Sequence, residues 1–184
     1  RFDLRTEEEK KSGVLAFAWI VSFPFFEKDK YMVNGGGWTF SHNPFSAPAT
    51  PEDEELLLAG RDIEKILTSQ YDLICNGYEV GGGSIRSNKP EVLKAVLRVI
   101  GYDDAGIEKD FGHMLEAFKY GAPPHGGIAH GVERLIMILS GEEYLREVQA
   151  FPQTGSGRTS VMDAPSEVDK KQLDELGMEV KKRS

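Results

Sequence analysis

Residues Tyr71 to Arg86 read YDLICNGYEVGGGSIR and hold two carboxylates, three consecutive glycines and an arginine in one short stretch. Asn-Gly between apolar runs is the strongest short-range hairpin signal, so Asn76-Gly77 predicts a two-residue turn. That turn sets Cys75 opposite Tyr78, Ile74 opposite Glu79 and Asp72 opposite Gly81. Side chains alternate along a strand, which places Asp72, Ile74 and Glu79 on one face. As diagonal neighbours, Asp72 and Glu79 stand roughly 7–8 Å apart at the backbone. That separation suits two carboxylates sharing one hard cation. The run Gly81-Gly82-Gly83 either lets another group approach bare backbone or marks a bulge. A bulge brings Arg86 onto the carboxylate face, whereas strict alternation from Glu79 puts it on the other. Two acids on a hairpin also read as a solvated face, and these residues alone leave both readings open.

A second constellation lies in residues 119–134, KYGAPPHGGIAHGVER, followed by LIMIL. Pro123-Pro124 ends any preceding helix. Gly126 and Gly127 open a short strand, and Gly131 precedes a helix carrying Leu135, Ile136, Ile138 and Leu139. Arg134 then falls in the first turn, where the helix dipole disfavours a cation. An anionic partner, met also by nearby backbone N–H groups, resolves the conflict. The alternative is a surface arginine paired to Glu133 or Glu142.

Together these stretches resemble the catalytic domain of class II aminoacyl-tRNA synthetases, and specifically the bacterial-type aspartyl-tRNA synthetase family. GIAHGVER resembles the third signature motif of the class, a glycine-punctuated strand and helix ending in arginine. The hairpin stretch resembles the aspartyl and asparaginyl branch. FPFFE (Phe23–Glu27), SHNPFSAP (Ser41–Pro48), GHMLEAFKYGAPPHGG (Gly112–Gly127) and REVQAFPQT (Arg146–Thr154) resemble the bacterial aspartyl form. The likeness covers nearly the whole chain, with its blocks in the family's order.

The resemblance implies an aspartate–tRNA ligase that forms aspartyl-adenylate from L-aspartate and ATP. It then passes the aspartyl group to the 3′ end of tRNA(Asp), with tRNA(Asn) as a further acceptor left open. It implies Mg2+ at Asp72 and Glu79, ATP at Glu79, Gly131, Val132, Glu133 and Arg134, and aspartate at His42 and Arg86. No residue is implied as a nucleophile. A homodimer, contact with the tRNA acceptor end and a cytoplasmic location are implied as well. Three positions depart from the bacterial pattern. Asn43 stands where a second loop histidine is usual, His130 replaces a bulky apolar residue, and Glu133 replaces aspartate. The family's anticodon-binding barrel, its first two signature motifs and the bacterial inserted domain have no counterpart in these residues. The expectation is therefore the C-terminal part of a catalytic domain, inactive alone. An ammonia-dependent asparagine synthetase-like paralogue and a non-catalytic synthetase-derived domain are the rival readings.

The elements that must hold these residues follow from the rest of the chain. Expected are a residual connection over 1–13, the catalytic part over 14–165 and a C-terminal helix and tail over 166–184. Val14–Phe23 reads as a buried strand, 27–37 as a flexible turn and Trp38–His42 as a second strand. Glu52–Leu67 reads as a helix led by acids. Pro90 suits a first helical position, and Asp103 or Asp104 starts a helix ending near Tyr120-Gly121. A short helix is expected near 142–147, a strand end at FPQT, and an outer helix over 168–178. Hairpins and helices without repeating βαβ units predict an α+β fold, a mostly antiparallel sheet flanked by helices.

Composition bounds the reading. The chain has 184 residues, 40% of them hydrophobic, which suits one core. Its single cysteine, Cys75, cannot form an internal disulfide and reads as a packed hydrophobe in a reducing compartment. No apolar run reaches the roughly 18 residues of a membrane span. The net charge of −8 lacks the basic excess of a nucleic-acid-binding domain, which confines any tRNA contact to the acceptor end.

Overall fold

A computed structural model describes residues 5–29 and 37–181. The expected turn over 27–37 lies largely outside the described residues. By compactness the chain divides into two units, 1–134 and 135–184.

The first unit is built on a four-stranded antiparallel sheet in the order β1-β4-β5-β6. Its strands are β1 (Phe17–Pro24), β4 (Leu67–Cys75), β5 (Tyr78–Ile85) and β6 (Gly126–His130). A separate antiparallel pair joins β2 (Phe26–Lys28) to β3 (Trp38–Phe40). The helices are α1 (Glu7–Lys11), α2 (Pro51–Ala59), α3 (Pro90–Val99) and α4 (Asp104–Lys119). The fold is α+β as the sequence predicts.

Local chemistry accounts for most boundaries. Thr6 and Glu9 form a reciprocal capping box on α1, inside the stretch read as a connection. Proline takes an early position in both α2 and α3, and the Asp103 carboxylate accepts from Gly106 N–H at the start of α4. The predicted 52–67 helix is shorter than expected. Gly60 adopts φ 62° and stops α2, a conformation open to glycine at no steric cost. A 3₁₀ turn over Ile63–Lys65 then leads into β4. Burial lies between the helices and β2: Phe25, Phe26, Leu57, Ile66, Val92, Leu93, Val96, Leu97, Ile107 and Leu115 form one cluster.

The first strand differs from expectation. Its apolar run predicts burial, yet Phe17, Trp19 and Val21 are 54%, 58% and 60% exposed. Among the described residues β1 is an edge strand that pairs only with β4. Helix α5 (Val132–Ser140) begins in the first unit and ends in the second. In the second unit a 3₁₀ turn over Leu145–Val148 replaces the expected helix, and α6 is confined to Lys170–Glu175. FPQT is not a strand. Thr154 N–H instead donates to Arg158 O at 2.7 Å, closing a turn with Gly157 at φ 80°. No helix among the described residues is long and apolar enough to cross a membrane.

Candidate functional site

The hairpin forms with Asn76 and Gly77 at φ 51° and 84°, the left-handed pair that a tight type I′ turn requires. Asn76 does more than turn the chain. It is buried, its Oδ1 accepts from Ala16 N–H at 2.8 Å, and its own N–H donates to Ala16 O at 3.0 Å. The turn is thereby pinned to the approach of β1.

The first two predicted pairs hold: Cys75 faces Tyr78, and Ile74 faces Glu79. The third does not. Asp72 faces Gly82, not Gly81, because the register shifts after Ile74 and leaves Val80 as an extra residue in β5. One extra residue is a β-bulge, and it changes the parity of everything beyond it. This shift puts Glu79 and Arg86 on the same side of β5, the outcome that strict alternation forbids.

Gly82 shows how close the carboxylates come. A methyl carbon built on it would lie 3.0 Å from Asp72 Oδ1 and 3.3 Å from Glu79 Oε1. The same face opens into a cleft of about 380 Å³, whose walls include His42, Asn43, Gln70, Asp72, Glu79, Gly82, Arg86 and Ala129. The acids stand toward the hairpin tip. Arg86 follows the far end of β5, about 13 Å of strand beyond Gly82. Its backbone is held there by a bridge to Ser46 and by its N–H donating to His125 O at 2.9 Å. His42 reaches the cleft from the loop after β3, with Phe23 packed edge-on against its ring at 4.5 Å. Ser22, at φ 64°, lies at the irregularity in β1 that precedes Phe23. Asn43 Oδ1 accepts from Phe45 N–H at 2.8 Å and shapes the same loop.

The residues after β6 are placed differently. Gly131 N–H donates to Val80 O at 2.9 Å, tying the start of α5 to the bulge. Arg134 pairs with neither Glu133 nor Glu142. Its Nη1 donates to Glu79 O at 2.8 Å and lies 3.5 Å from Glu79 Oε2. Both side chains of this pair are about half exposed, so as an ion pair it adds little stability. Gly131, Val132 and Glu133 are not among the cleft's walls, and Arg134 reaches it only through Glu79. His130 lies on the opposite sheet face, beside Gly81, where a methyl carbon would meet its Nδ1 at 3.0 Å.

The structure thus brings together Asp72, Glu79, Arg86 and His42, with Arg134 attached at Glu79. The sequence reading missed Gln70, Gly82 and Ala129 as cleft residues. Gln70 carried a signal: it stands two residues before Asp72 and so shares its face. Cys75 is buried, and burial pushes its thiol pKa up, which disfavours the reactive thiolate.

As to a metal, Mg2+ commonly takes one or two carboxylates and completes its shell with phosphates and water. The close approach of Asp72 and Glu79 across bare Gly82 fits that habit. No cluster of three or more His, Cys, Asp or Glu side chains suited to a metal occurs among the described residues.

Comparison with known proteins bears on the family and the fold. The family model for class II tRNA synthetases (D, K and N) matches residues 1–155. An aspartate–tRNA(Asp/Asn) ligase of Parvibaculum lavamentivorans is 46% identical over 175 residues, 92% of this chain and 28% of that protein. An aspartate–tRNA ligase of Streptomyces coelicolor is 44% identical over 184 residues, 97% of this chain and 30% of that protein. The chain thus spans less than a third of these relatives. Among solved structures, aspartyl-tRNA synthetase from Entamoeba histolytica superposes with a TM-score of 0.54 at 21% identity, covering 78% of this chain and 23% of that one. Asparaginyl-tRNA synthetase from Pyrococcus horikoshii gives 0.52 at 24%, covering 76% and 27%. At these identities the two structures speak to the fold.

Proposed function

Because the chain belongs to the class II tRNA synthetases of the D, K and N group, we propose that it forms part of an aspartate–tRNA ligase and carries that enzyme's amino-acid pocket and part of its nucleotide site. One observation supports this best. Two carboxylates and a guanidinium, placed on opposite faces by simple alternation, share one cleft because of the Val80 bulge.

In this reading an oxygen of the aspartate α-carboxylate attacks the α-phosphorus of ATP and pyrophosphate leaves. A 3′-terminal ribose hydroxyl of tRNA then attacks the activated carbonyl, and AMP leaves. Neither step needs a protein nucleophile, so the protein's work is orientation and charge compensation. Arg86 presents a planar fork to the substrate's side-chain carboxylate, which accepts two parallel hydrogen bonds. His42 closes the same end of the pocket. Arg134 turns from Glu79 to the ATP phosphates, with Gly131, Val132 and Glu133 beside the nucleotide. Asp72 and Glu79 would hold Mg2+, which when bound would offset phosphate charge. A homodimer, a cytoplasmic place of action and contact with the acceptor end of tRNA(Asp) belong to the same reading.

Pyrophosphate exchange in the longest native chain containing these residues tests it. Losing a bidentate charged contact in a desolvated pocket costs about 2–5 kcal/mol, roughly 30-fold to several-thousand-fold in affinity. Arg86→Lys keeps charge without the fork, so it should raise the KM for aspartate toward the lower end of that range and leave ATP nearly unaffected. Arg134→Ala should do the reverse. If both variants raised the KM for ATP alone, Arg86 would not be the amino-acid reader.

A further inference from the structure

We infer that Gln70 is a positioning residue for Asp72, fixing which way that carboxylate faces and so tuning divalent-cation binding between Asp72 and Glu79. The inference rests on the reading of these two acids as the cation pair.

Gln70 and Asp72 are alternate residues of β4, so their side chains rise from the same face. The Gln70 Nε2 donates to Asp72 Oδ1 at 3.2 Å, and both residues wall the cleft. The amide's orientation follows from chemistry. An ionised carboxylate only accepts, so Nε2 and not Oε1 must face it. Across the ladder Gln70 stands opposite Ser84, whose buried hydroxyl is engaged by Ser46 Oγ at 2.8 Å. Among the described residues, Gln70 supplies the side-chain donor to Asp72.

That donor matters because of what lies on the other side. The Glu79 carboxylate approaches Asp72 across Gly82, and like charges so placed push each other away. Among the described residues neither arginine donates a hydrogen bond to Asp72: Arg134 is engaged with Glu79, and Arg86 follows the far end of β5. An amide on Oδ1 opposes rotation of the Asp72 carboxylate away from Glu79. It also occupies one oxygen and leaves Oδ2 without a donor among the described residues. Oδ1 is also the oxygen on the Gly82 side, toward Glu79 Oε1, and an oxygen that accepts one hydrogen bond keeps a second lone pair for a cation. A shorter asparagine at position 70 would fall short, since alternate strand residues are nearly 7 Å apart.

The test uses Gln70→Met, which keeps the length and bulk of the side chain and removes its donor, with Gln70→Ala as a second variant. Mn2+ serves as probe for the divalent site. Its binding to the purified chain is followed by the electron-paramagnetic-resonance signal of free Mn2+, beside thermal melting. A hydrogen bond to a charged group at a partly open site supports an expected weakening of about tenfold in Mn2+ affinity. Melting of Gln70→Met should stay within about two degrees of the parent. In pyrophosphate exchange by the longest native chain containing these residues, the Mg2+ activation constant should rise while kcat at saturating Mg2+ stays within about twofold. A purely structural role would lower melting and kcat together.

Asp72→Asn separates the role of Gln70 from the cation pair itself. If it abolishes Mn2+ binding while both Gln70 variants bind as the parent does, the positioning role is overturned and the cation pair stands. If Asp72→Asn also binds Mn2+ normally, the cation pair itself is overturned and the role of Gln70 with it.

Discussion

Two adjacent glycines make opposite demands on the molecule. At Gly82 an added methyl would press on two side-chain oxygens, Asp72 Oδ1 at 3.0 Å and Glu79 Oε1 at 3.3 Å. These belong to side chains, which can shift by a few tenths of an ångström at the expense of their present contacts to Gln70 and Arg134. At Gly83 the same methyl would sit 1.9 Å from the backbone oxygen of Gly127, which is held in the β5–β6 ladder and cannot yield. Gly82→Ala should therefore fold and melt near the parent, yet bind divalent cations on the order of tenfold more weakly, because misplaced ligands forfeit geometry. Gly83→Ala should lose about 3 kcal/mol or more of stability, the upper end for overpacking. Melting curves and a metal titration on the two proteins separate these outcomes. The sequence announced that something approaches the glycine run, but it could not say which glycine meets a side chain and which meets backbone. That distinction depends on Val80 as the extra residue, and no local feature of GYEVGGG marks Val80 over its neighbours.

At the scale of elements, legibility followed how local the physics is. The turn at Asn76-Gly77, the proline opening α3, and the Asp103 cap of α4 each depend on a few adjacent residues. Each appears where the sequence places it. The end of α2 was missed because Leu56, Leu57 and Leu58 continue naturally toward Ile63, while Gly60 intervenes with a left-handed backbone. The junction from α2 to β4 depends instead on a buried acid. Asp53 Oδ1 accepts from Leu67 N–H at 2.9 Å, and Asp53 Oδ2 accepts from the Thr50 hydroxyl at 2.8 Å. Asp53→Ala leaves the half-buried Leu67 N–H unpaired and loosens the helix cap, a loss of about 2–3 kcal/mol. Asp53→Asn keeps an acceptor and should lose about half as much. Denaturant unfolding of both variants, with unchanged slopes, is the check.

For the whole molecule, the two units differ in how they hold themselves together. The main buried cluster, from Phe25 to Leu115, lies within the first unit. In the second unit, Met137 and Thr159 are buried, while Leu139, Tyr144, Phe151, Val161, Met162 and Leu176 are each more than half exposed. Few buried contacts mean local opening at low free energy. Amides of residues 141–181 should exchange with solvent at least about a hundredfold faster than those of Val92–Leu97. Hydrogen exchange read by mass spectrometry on the purified chain measures this directly, and equal protection in the two regions would contradict it. The expectation of a buried β1 was out of reach of local reasoning for a related cause. An apolar run reports that a strand suits a covered place, and which element covers it is settled elsewhere in the chain.

The contact between Arg134 and Glu79 makes the hairpin tip and the first turn of α5 one thermodynamic unit. A ligand that occupies the Glu79 carboxylate loosens its hold on the guanidinium. A ligand that draws the guanidinium away leaves the carboxylate open. In either order the contact is broken once, and the second ligand arrives at a residue already released. Such coupling is reciprocal: whatever factor a cation at Glu79 lends to an anion at Arg134, the anion returns to the cation unchanged. A change at either partner is therefore felt by the other, because one 2.8 Å hydrogen bond and the carboxylate beside it join the two residues.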